Sequence, residues 1–232
     1  MGDEVFGVTN RRFTGAYAQY ALAFTHKLAH KPRHRSFLES AAVPVVTVTA
    51  RQMLFRDAKV RAGDRVLVQG AAGNVGAYAV QFARAAGAHV IASVRPKDRE
   101  EVLRLGANEV ISIPGDEALG LRGTLDIAID TVGGNEQREL FTYVRRGGTL
   151  ISSVSAPDAQ LAQQCRIEAK FILVDVTTED LAAVASLLDA QQLVVRIGQV
   201  LPLAEARQAH EMLEHLRPLP AGKVVLNALG DS

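Results

Sequence analysis

Arg65-Val66-Leu67-Val68-Gln69 is followed at once by Gly70-Ala71-Ala72-Gly73-Asn74-Val75-Gly76. This segment is the main indication of the fold. The first five residues have the pattern of a buried strand, and the residues after Gly76 have that of a helix. Glycines between a strand and a helix permit a tight turn and let backbone N–H groups approach a pyrophosphate at the helix N-terminus. The stretch therefore predicts a dinucleotide-binding turn. A glycine turn that only packs helix against sheet is the alternative.

The alternation of strand and helix patterns continues through the middle of the chain. Strands are predicted at 65–69, 89–93, 109–113, 125–129, 148–152 and 169–176, and helices at 77–86, 98–105, 136–144 and 179–190, with a turn at Gly147-Gly148. Five crossovers of this kind predict an α/β fold with a doubly wound parallel sheet of the Rossmann type.

The two ends of the chain differ from the middle. Residues 1–30 look like short strands and turns, and residues 200–232 predict a helix at 204–216 and a terminal strand at 223–226. We expect the two ends to form one small β-rich unit, with Tyr17 and Tyr20 in its core rather than in a catalytic role.

The residues after the second predicted strand indicate which dinucleotide is bound. An NAD site usually has Asp or Glu there to hold the ribose 2′-hydroxyl. This chain instead has Ser93-Val94-Arg95-Pro96-Lys97-Asp98-Arg99, in which the basic side chains can surround a 2′-phosphate and Ser93 can donate a hydrogen bond. Asp98 is expected to be a helix N-cap. The pattern favours NADPH, and a solvated basic loop is the alternative.

Composition excludes several other classes of protein. The 232 residues carry 26 basic and 25 acidic side chains, a balance that argues against nucleic acid or an anionic membrane as partner. No apolar run approaches the ~20 residues of a membrane helix, and we expect no secretion signal, since the first residues form neither a basic nor an apolar segment. No Gly-Lys-Ser/Thr follows the glycine turn, which excludes a P-loop. The single Cys165 excludes an internal disulfide and a multi-cysteine metal site. We expect a cytoplasmic protein.

The whole pattern resembles the medium-chain dehydrogenase/reductase superfamily, in particular its zinc-free quinone oxidoreductase (zeta-crystallin-like) branch. The resemblance rests on segments spread along the chain: Gly2 to Gly7, Gly15 to Tyr20, Lys31-Pro32, Ala41 to Pro44, Val66 to Gly76, Leu105 to Ala107, Asp130 to Gly134 and Gly222 to Leu226. It implies three segments: 1–44 as part of a GroES-like domain that lacks its N-terminal portion, 45–195 as the NADP-binding Rossmann domain, and 196–232 as the return to the GroES-like domain.

The resemblance also implies a set of cofactor-binding residues. The pyrophosphate is expected to contact Ala72, Gly73, Asn74 and Val75, and the 2′-phosphate is expected near Ser93, Arg95 and Arg99. The nicotinamide is expected near Thr49, Ser152 and Ser153, and the adenosine near Ile113. The cofactor groove is expected to be lined by Thr131 and Val132. Asn74 stands where relatives carry a second glycine, at a position that can require positive φ.

The metal-binding branch of the family has cysteine ligands in the segment 7–50, where this chain has none. His26, His30 and His34 share i, i+4 spacing, but Pro32 breaks a helix there, so no metal site is expected.

The function implied is NADPH-dependent hydride transfer to quinones or α,β-unsaturated carbonyls without a metal. No residue stands out as a catalytic proton donor. The alternatives are a non-catalytic NADPH-binding or assembly protein and an enoyl-reductase module of a polyketide-type synthase. A small electrophile is the expected partner, and a homodimer formed through the strand at 169–176 is the expected assembly.

Overall fold

A computed structural model describes residues 2–112 and 115–228 of the chain. They form two compact units, one of Met1–Val48 with Asp175–Ser232 and one of Thr49–Val174. The strands are β1 (Val5–Gly7), β2 (Leu28–His30), β3 (Arg65–Gln69), β4 (His89–Ser93), β5 (Glu109–Ile111), β6 (Leu125–Asp130), β7 (Val144–Ser152), β8 (Glu168–Phe171), β9 (Ile197–Pro202) and β10 (Lys223–Asn227). The α-helices are α1 (Phe37–Ala42), α2 (Pro44–Arg51), α3 (Gly76–Ala85), α4 (Arg99–Arg104), α5 (Gly134–Tyr143), α6 (Ala159–Cys165), α7 (Thr178–Asp189) and α8 (Ala206–Leu213).

The unit Thr49–Val174 is built on one parallel sheet with the strand order β5-β4-β3-β6-β7-β8. The order reverses direction between β3 and β6, as in a doubly wound Rossmann sheet, and this confirms the predicted fold class. Val66, Leu67 and Val68 of the central strand are fully buried, because helices cover both faces of such a sheet.

Two strands differ from their predicted limits by more than two residues. β7 begins at Val144, so the glycines predicted as a turn lie inside the strand, where Gly147 has φ +75° and the pairing with β6 shifts register between Leu125 and Ile127. β8 ends at Phe171 rather than at residue 176, and the next residue, Ile172, donates its N–H to the Ser152 carbonyl at 2.9 Å.

The division into units also differs from the predicted boundary near residue 195. Residues from Asp175 onward, including α7, make their contacts within the first unit. In that unit Lys27 is 2% exposed, and its Nζ donates to Asp175 Oδ1 at 2.5 Å and to the Val176 carbonyl at 2.8 Å. These bonds attach the segment before α7 to β2.

The first unit contains two small strand pairs. β1 pairs with β2 antiparallel, and β9 pairs with β10 parallel. Residues 8–24 contain no strand or helix, and Tyr17 and Tyr20 are 60% and 91% exposed. The expectation that they belong to the core is therefore wrong, and the Tyr17 hydroxyl instead lies 3.1 Å from Nε2 of the exposed His210 in α8. No helix among the described residues is long and apolar enough to cross a membrane.

Candidate functional site

The glycine turn between β3 and α3 lies at the carboxyl edge of the parallel sheet. The N–H groups of Gly70 and Ala71 donate to the Ser93 carbonyl at 3.2 and 3.3 Å, and the Gly73 N–H donates to the Gly70 carbonyl at 2.9 Å. Ligands of doubly wound sheets bind outside the carboxyl ends of the strands where the strand order reverses. The turn stands at that point, beside the end of β6.

Two glycines of the turn have no room for a side chain. Gly70 has φ +71°, and a Cβ there would lie 2.5 Å from Thr131 Oγ1 and 2.8 Å from Val132 Cγ2. A Cβ at Gly76 would lie 2.2 Å from the Gly70 carbonyl oxygen. These contacts are shorter than real Cβ atoms tolerate, so both glycines allow the turn, the β6 loop and α3 to pack closely.

Two backbone N–H groups lie without an acceptor in the described ranges where α3 begins. The N–H groups of Asn74 and Val75 donate to no acceptor within the described ranges, and α3 has no side-chain cap. Unsatisfied N–H groups at a helix N-terminus bind anions such as phosphate. Asn74 is not among the residues with positive φ, so the expectation that its position requires φ > 0 is wrong.

A buried carboxylate organises the loops that follow β6 and β7. Asp130, the last residue of β6, is fully buried. Its Oδ1 accepts from the N–H groups of Val132 and Gly133 at 3.0 and 2.9 Å. Its Oδ2 accepts from Gln137 Nε2 at 2.8 Å and from Ser152 Oγ at 2.7 Å. Four donors compensate the burial of one charge, and they hold the two loops together.

This network changes the expected role of Ser152. Its side chain is fully buried, its hydroxyl donates to Asp130, and the same oxygen accepts from the N–H groups of Val154 and Ser155 at 3.1 and 3.3 Å. The Ser152 hydroxyl therefore holds the β7 loop in position, and the placement of Ser152 near the nicotinamide stays a prediction. Ser153 stays partly accessible, with its N–H bonded to the Asp130 carbonyl at 3.1 Å.

Sequence reasoning did not identify Asp130 and Gln137 as site residues. The available signal was an acidic residue closing an otherwise apolar strand, since a carboxylate at a buried strand end requires several donors nearby. The donors to Asp130 come from α5 and from the loops after β6 and β7, and no spacing rule in the sequence predicts that these segments meet.

The last residues of four adjacent strands form a buried polar row. Register places Gln69 opposite Ser93 on one side and Asp130 on the other, and Asp130 opposite Ser152. Gln69 is 3% exposed, and no donor among the described residues reaches its Oε1. A buried acceptor without a donor costs about 1–3 kcal/mol. This oxygen is therefore available to a donor that comes with a ligand at the reversal point.

The predicted basic loop after β4 is partly engaged with its own chain. Arg95 is exposed, and its Nε lies 3.3 Å from Asp98 Oδ2. Asp98 precedes α4 as predicted, but its side chain makes no capping bond and pairs with Arg95 instead. Arg99 Nη1 donates to the Val110 carbonyl at 3.1 Å, and Lys97 is exposed. The loop presents three cations and one competing carboxylate.

The remaining predicted residues lie in different surroundings. Thr131 Oγ1 donates to the Gln69 carbonyl at 2.7 Å, and Val132 is 46% exposed beside the turn. Thr49 is buried in α2. Ile113 lies outside the described residues. The structure thus gathers the residues from the ends of β3, β4, β6 and β7 at one edge.

The three histidines considered as metal ligands do not share a helix face. His26 lies in a 3₁₀ turn, His30 ends β2, and His34 lies in a turn. Over the described part of the chain, no group of three or more His, Cys, Asp or Glu side chains is arranged to hold a metal ion.

Comparison with known proteins identifies the family. Residues 105–226 match the family model described as zinc-binding dehydrogenase. The quinone oxidoreductase of Lama guanicoe is 32% identical over 97% of this chain and 72% of its own length. The solved quinone oxidoreductase of Coxiella burnetii has a TM-score of 0.89 at 29% identity, covering 98% of this chain and 73% of that one. The chain belongs to the zinc-binding dehydrogenase family of the medium-chain dehydrogenases/reductases.

Other members of the medium-chain dehydrogenase/reductase superfamily agree with this assignment. A probable mitochondrial zinc-binding oxidoreductase of Arthroderma benhamiae is 28% identical over 98% of this chain and 73% of its own length. An alcohol dehydrogenase superfamily protein of Novosphingobium aromaticivorans has a TM-score of 0.87 at 27% identity, covering 98% of this chain and 76% of that one. The chain is an oxidoreductase of this superfamily, whose enzymes bind nicotinamide cofactors.

Proposed function

We propose that this oxidoreductase uses NADPH to reduce quinones or α,β-unsaturated carbonyls without a metal ion. The observation that carries the proposal is the carboxyl edge of the sheet, where a glycine cradle, free N–H groups and a basic loop lie on adjacent strand ends. Relatives named quinone oxidoreductase, at about 30% identity, support the substrate class.

The turn fits the pyrophosphate of a dinucleotide. Gly70 and Gly76 keep side chains out of the cradle, and the backbone N–H groups of Asn74 and Val75 are the donors that a phosphate requires. Thr131 and Val132 border the same cradle. Gln69 Oε1 offers an acceptor for a hydroxyl or amide donor of the cofactor.

The basic loop fits the additional phosphate of NADPH. Arg95, Lys97 and Arg99 stand where an NAD-specific site has an acidic residue. A 2′-phosphate carries more negative charge than the Asp98 carboxylate, so it competes for Arg95, which has donors to spare. NADH offers no such group and leaves the Arg95–Asp98 pair intact.

The chemistry requires alignment more than it requires acid catalysis. Bound NADPH supplies a hydride. The Asp130 network fixes the loops after β6 and β7, and Ser153 and Val132 on those loops are the accessible side chains that border the cofactor. Conjugation in a quinone or enone delocalises the incoming charge, so no Lewis acid is needed. We assign no side chain as proton donor, and water supplies the proton.

The absence of cysteine from the segment 7–50 supports a metal-free reaction. We also propose that the protein acts in the cytoplasm, without nucleic acid or membrane partners, and as a homodimer. β8 forms one edge of the sheet and leaves its outer backbone groups for pairing with a second copy.

The test is turnover of NADPH by the purified protein. Absorbance at 340 nm is followed with a quinone, with a simple enone and with neither, before and after treatment with a chelator. We expect oxidation that depends on the electrophile, is faster with NADPH than with NADH, and is unchanged by the chelator. Arg95→Ala should raise the KM for NADPH, and Arg104→Ala, which removes an exposed arginine from α4, serves as its matched control.

Saturable binding of NADPH without oxidation in the presence of either electrophile would refute the reductase proposal and favour a nucleotide-binding protein. Equal KM values for NADPH in the two arginine variants would refute the assignment of Arg95. Loss of activity with the chelator would refute the metal-free reaction.

A further inference from the structure

Lys223 differs from the other lysines of the chain in its surroundings. The sequence contains six lysines. Lys27, Lys31 and Lys170 pair with Asp175, Glu4 and Glu168, and Lys59 and Lys97 are exposed. Lys223 is partly buried, and its Nζ has no hydrogen-bond or ion-pair partner among the residues that the structure describes.

Lys223 is one of the residues that line an apolar cavity of about 80 Å³ within the first unit. The other lining residues are all uncharged: Gly7, Val8, Ala41, Ala42, Pro44, Val45 and Val46. Burial among such groups disfavours the ammonium form and lowers the pKa of Lys223 below its ordinary value of 10.5.

The backbone fixes this placement. Pairing of β10 with β9 shifts register between Lys223 and Val224, and Gly198 is the extra residue in β9. A Cβ at Gly198 would lie 2.6 Å from the Ala221 carbonyl, and the Lys223 N–H donates to the Arg196 carbonyl at 2.9 Å. A β-bulge of this kind changes the local course of the paired strands, and Lys223 lies directly beside it.

Burial is the cause of the lowered Lys223 pKa, and the charged groups on the elements packed against β10, including Glu205 of the turn after β9, do not offset it. Glu39 of α1 is held by Ser36 and Arg35, and Glu4 before β1 pairs with Lys31. β9 contains no titratable residue, and the nearest charged residue preceding it is Arg196. A lowered pKa increases the fraction of a lysine that is unprotonated and nucleophilic, as in enzymes that form Schiff bases with carbonyl compounds.

We infer that Lys223 is a covalent binding site for small aldehydes, separate from the nucleotide turn. The Nζ lone pair attacks the carbonyl carbon while the carbonyl π pair moves to oxygen. A proton passes from nitrogen to that oxygen to give a carbinolamine, and loss of water leaves an imine. Nothing is oxidised or reduced, and the cavity limits the site to aldehydes of a few heavy atoms.

The test uses acetaldehyde with sodium cyanoborohydride, which reduces each imine to an N-ethyl lysine. The intact folded chain is labelled between pH 6 and pH 10.5 and is then digested. Peptide mass spectrometry gives the labelling rate at each lysine. We expect Lys223 to be labelled faster than Lys59 and Lys97 at neutral pH, and the ratio to fall toward one as the exposed lysines lose their protons. Slower labelling of Lys223 than of Lys97 at neutral pH, or a ratio independent of pH, would overturn the inference.

A second variant tests whether the aldehyde enters through the cavity. Ala41 is an exposed lining residue of α1, so Ala41→Leu should narrow the opening without disturbing the core. We expect slower labelling at Lys223, unchanged labelling at Lys97 and an unchanged circular dichroism spectrum. Equal labelling of Lys223 in the two proteins would contradict a cavity-bound site, and Lys223→Arg confirms the assignment of the modified peptide.

Discussion

Replacement of Asp130 by asparagine changes one atom at the centre of the carboxyl-edge site. In Asp130→Asn, Oδ1 keeps its bonds to the two N–H groups of the β6 loop. An NH₂ group replaces the oxygen that accepts from Gln137 and Ser152, so this new donor faces the Gln137 amide and the Ser152 hydroxyl, which are donors as well. Ser152 can rotate to accept, and the net loss is one charge-assisted bond, about 2 kcal/mol of the free energy of unfolding.

The consequence for binding follows from the geometry of the loops. The β7 loop is attached to β6 through Ser152, so weakening that bond loosens Ser153 and its neighbours at the proposed cofactor site. Loss of about 1.4 kcal/mol of binding free energy raises the dissociation constant of NADPH about tenfold. Nicotinamide fluorescence gives the dissociation constant, and urea unfolding gives the stability.

Asp126→Asn is the matched control, because Asp126 lies at the opposite end of the same strand. It accepts from the Arg65 N–H at 2.7 Å and pairs with Arg145 at 2.7 Å. Burial acts to raise the pKa of Asp126, but these donors hold the pKa below its ordinary value, so the control also destabilises the fold. We expect an unchanged dissociation constant for NADPH in this variant. A destabilised Asp130→Asn that binds NADPH as tightly as wild type would refute the positioning role.

Three further predictions concern the turn, the basic loop and the first unit. Gly76→Ala places a Cβ against the Gly70 carbonyl, so it should cost about 1–3 kcal/mol of stability and weaken binding of NADPH and NADH alike, measured by urea unfolding and by titration. Arg95→Glu should weaken NADPH binding while leaving NADH binding nearly unchanged, and an equal loss for both cofactors would contradict the assignment. Asp175→Asn keeps a side-chain oxygen that can accept from Lys27 but removes the negative charge beside this buried ammonium, so it should reduce the free energy of unfolding by about 1–3 kcal/mol at neutral pH.

The last variant also has a defined pH dependence. The Lys27 hydrogen bond holds the pKa of Asp175 below its ordinary value of 3.8. A depressed carboxyl pKa contributes stability above 3.8 that is lost as the pH falls through the lower folded-state value. Unfolding in urea between pH 2 and pH 6 should show this loss in wild type and a flatter curve in Asp175→Asn. Parallel curves would show that Asp175 contributes nothing through its charge.

The parallel sheet was predictable because its signals are local. Val66 to Val68 are apolar on both faces, and Gly70 and Gly76 stand where a turn and a close helix contact require them. A strand limit such as Phe171 was less predictable, because the chain leaves the sheet edge where pairing with β7 stops. Apolar character continues beyond that point in Ile172 and Leu173.

The candidate site was predictable only in part. The glycine turn and the basic loop were predictable because glycines act through backbone shape and basic residues through charge. Their positions directly after predicted strands are visible in the sequence. The buried bonds of Asp130, Gln137 and Ser152 join residues from three elements, and only the folded chain brings them together. The Arg95–Asp98 ion pair was missed for a different reason. Arg95 was predicted to bind the 2′-phosphate and Asp98 to cap a helix, but the two side chains pair with each other.

The most direct test of the central claim is a fluorescence titration of the purified protein with NADPH and with NADH, repeated in the presence of a quinone. We expect saturable binding that is tighter for NADPH, followed by loss of the nicotinamide signal when the quinone is added. Absence of binding by either nucleotide would contradict the assignment of the carboxyl edge as a dinucleotide site.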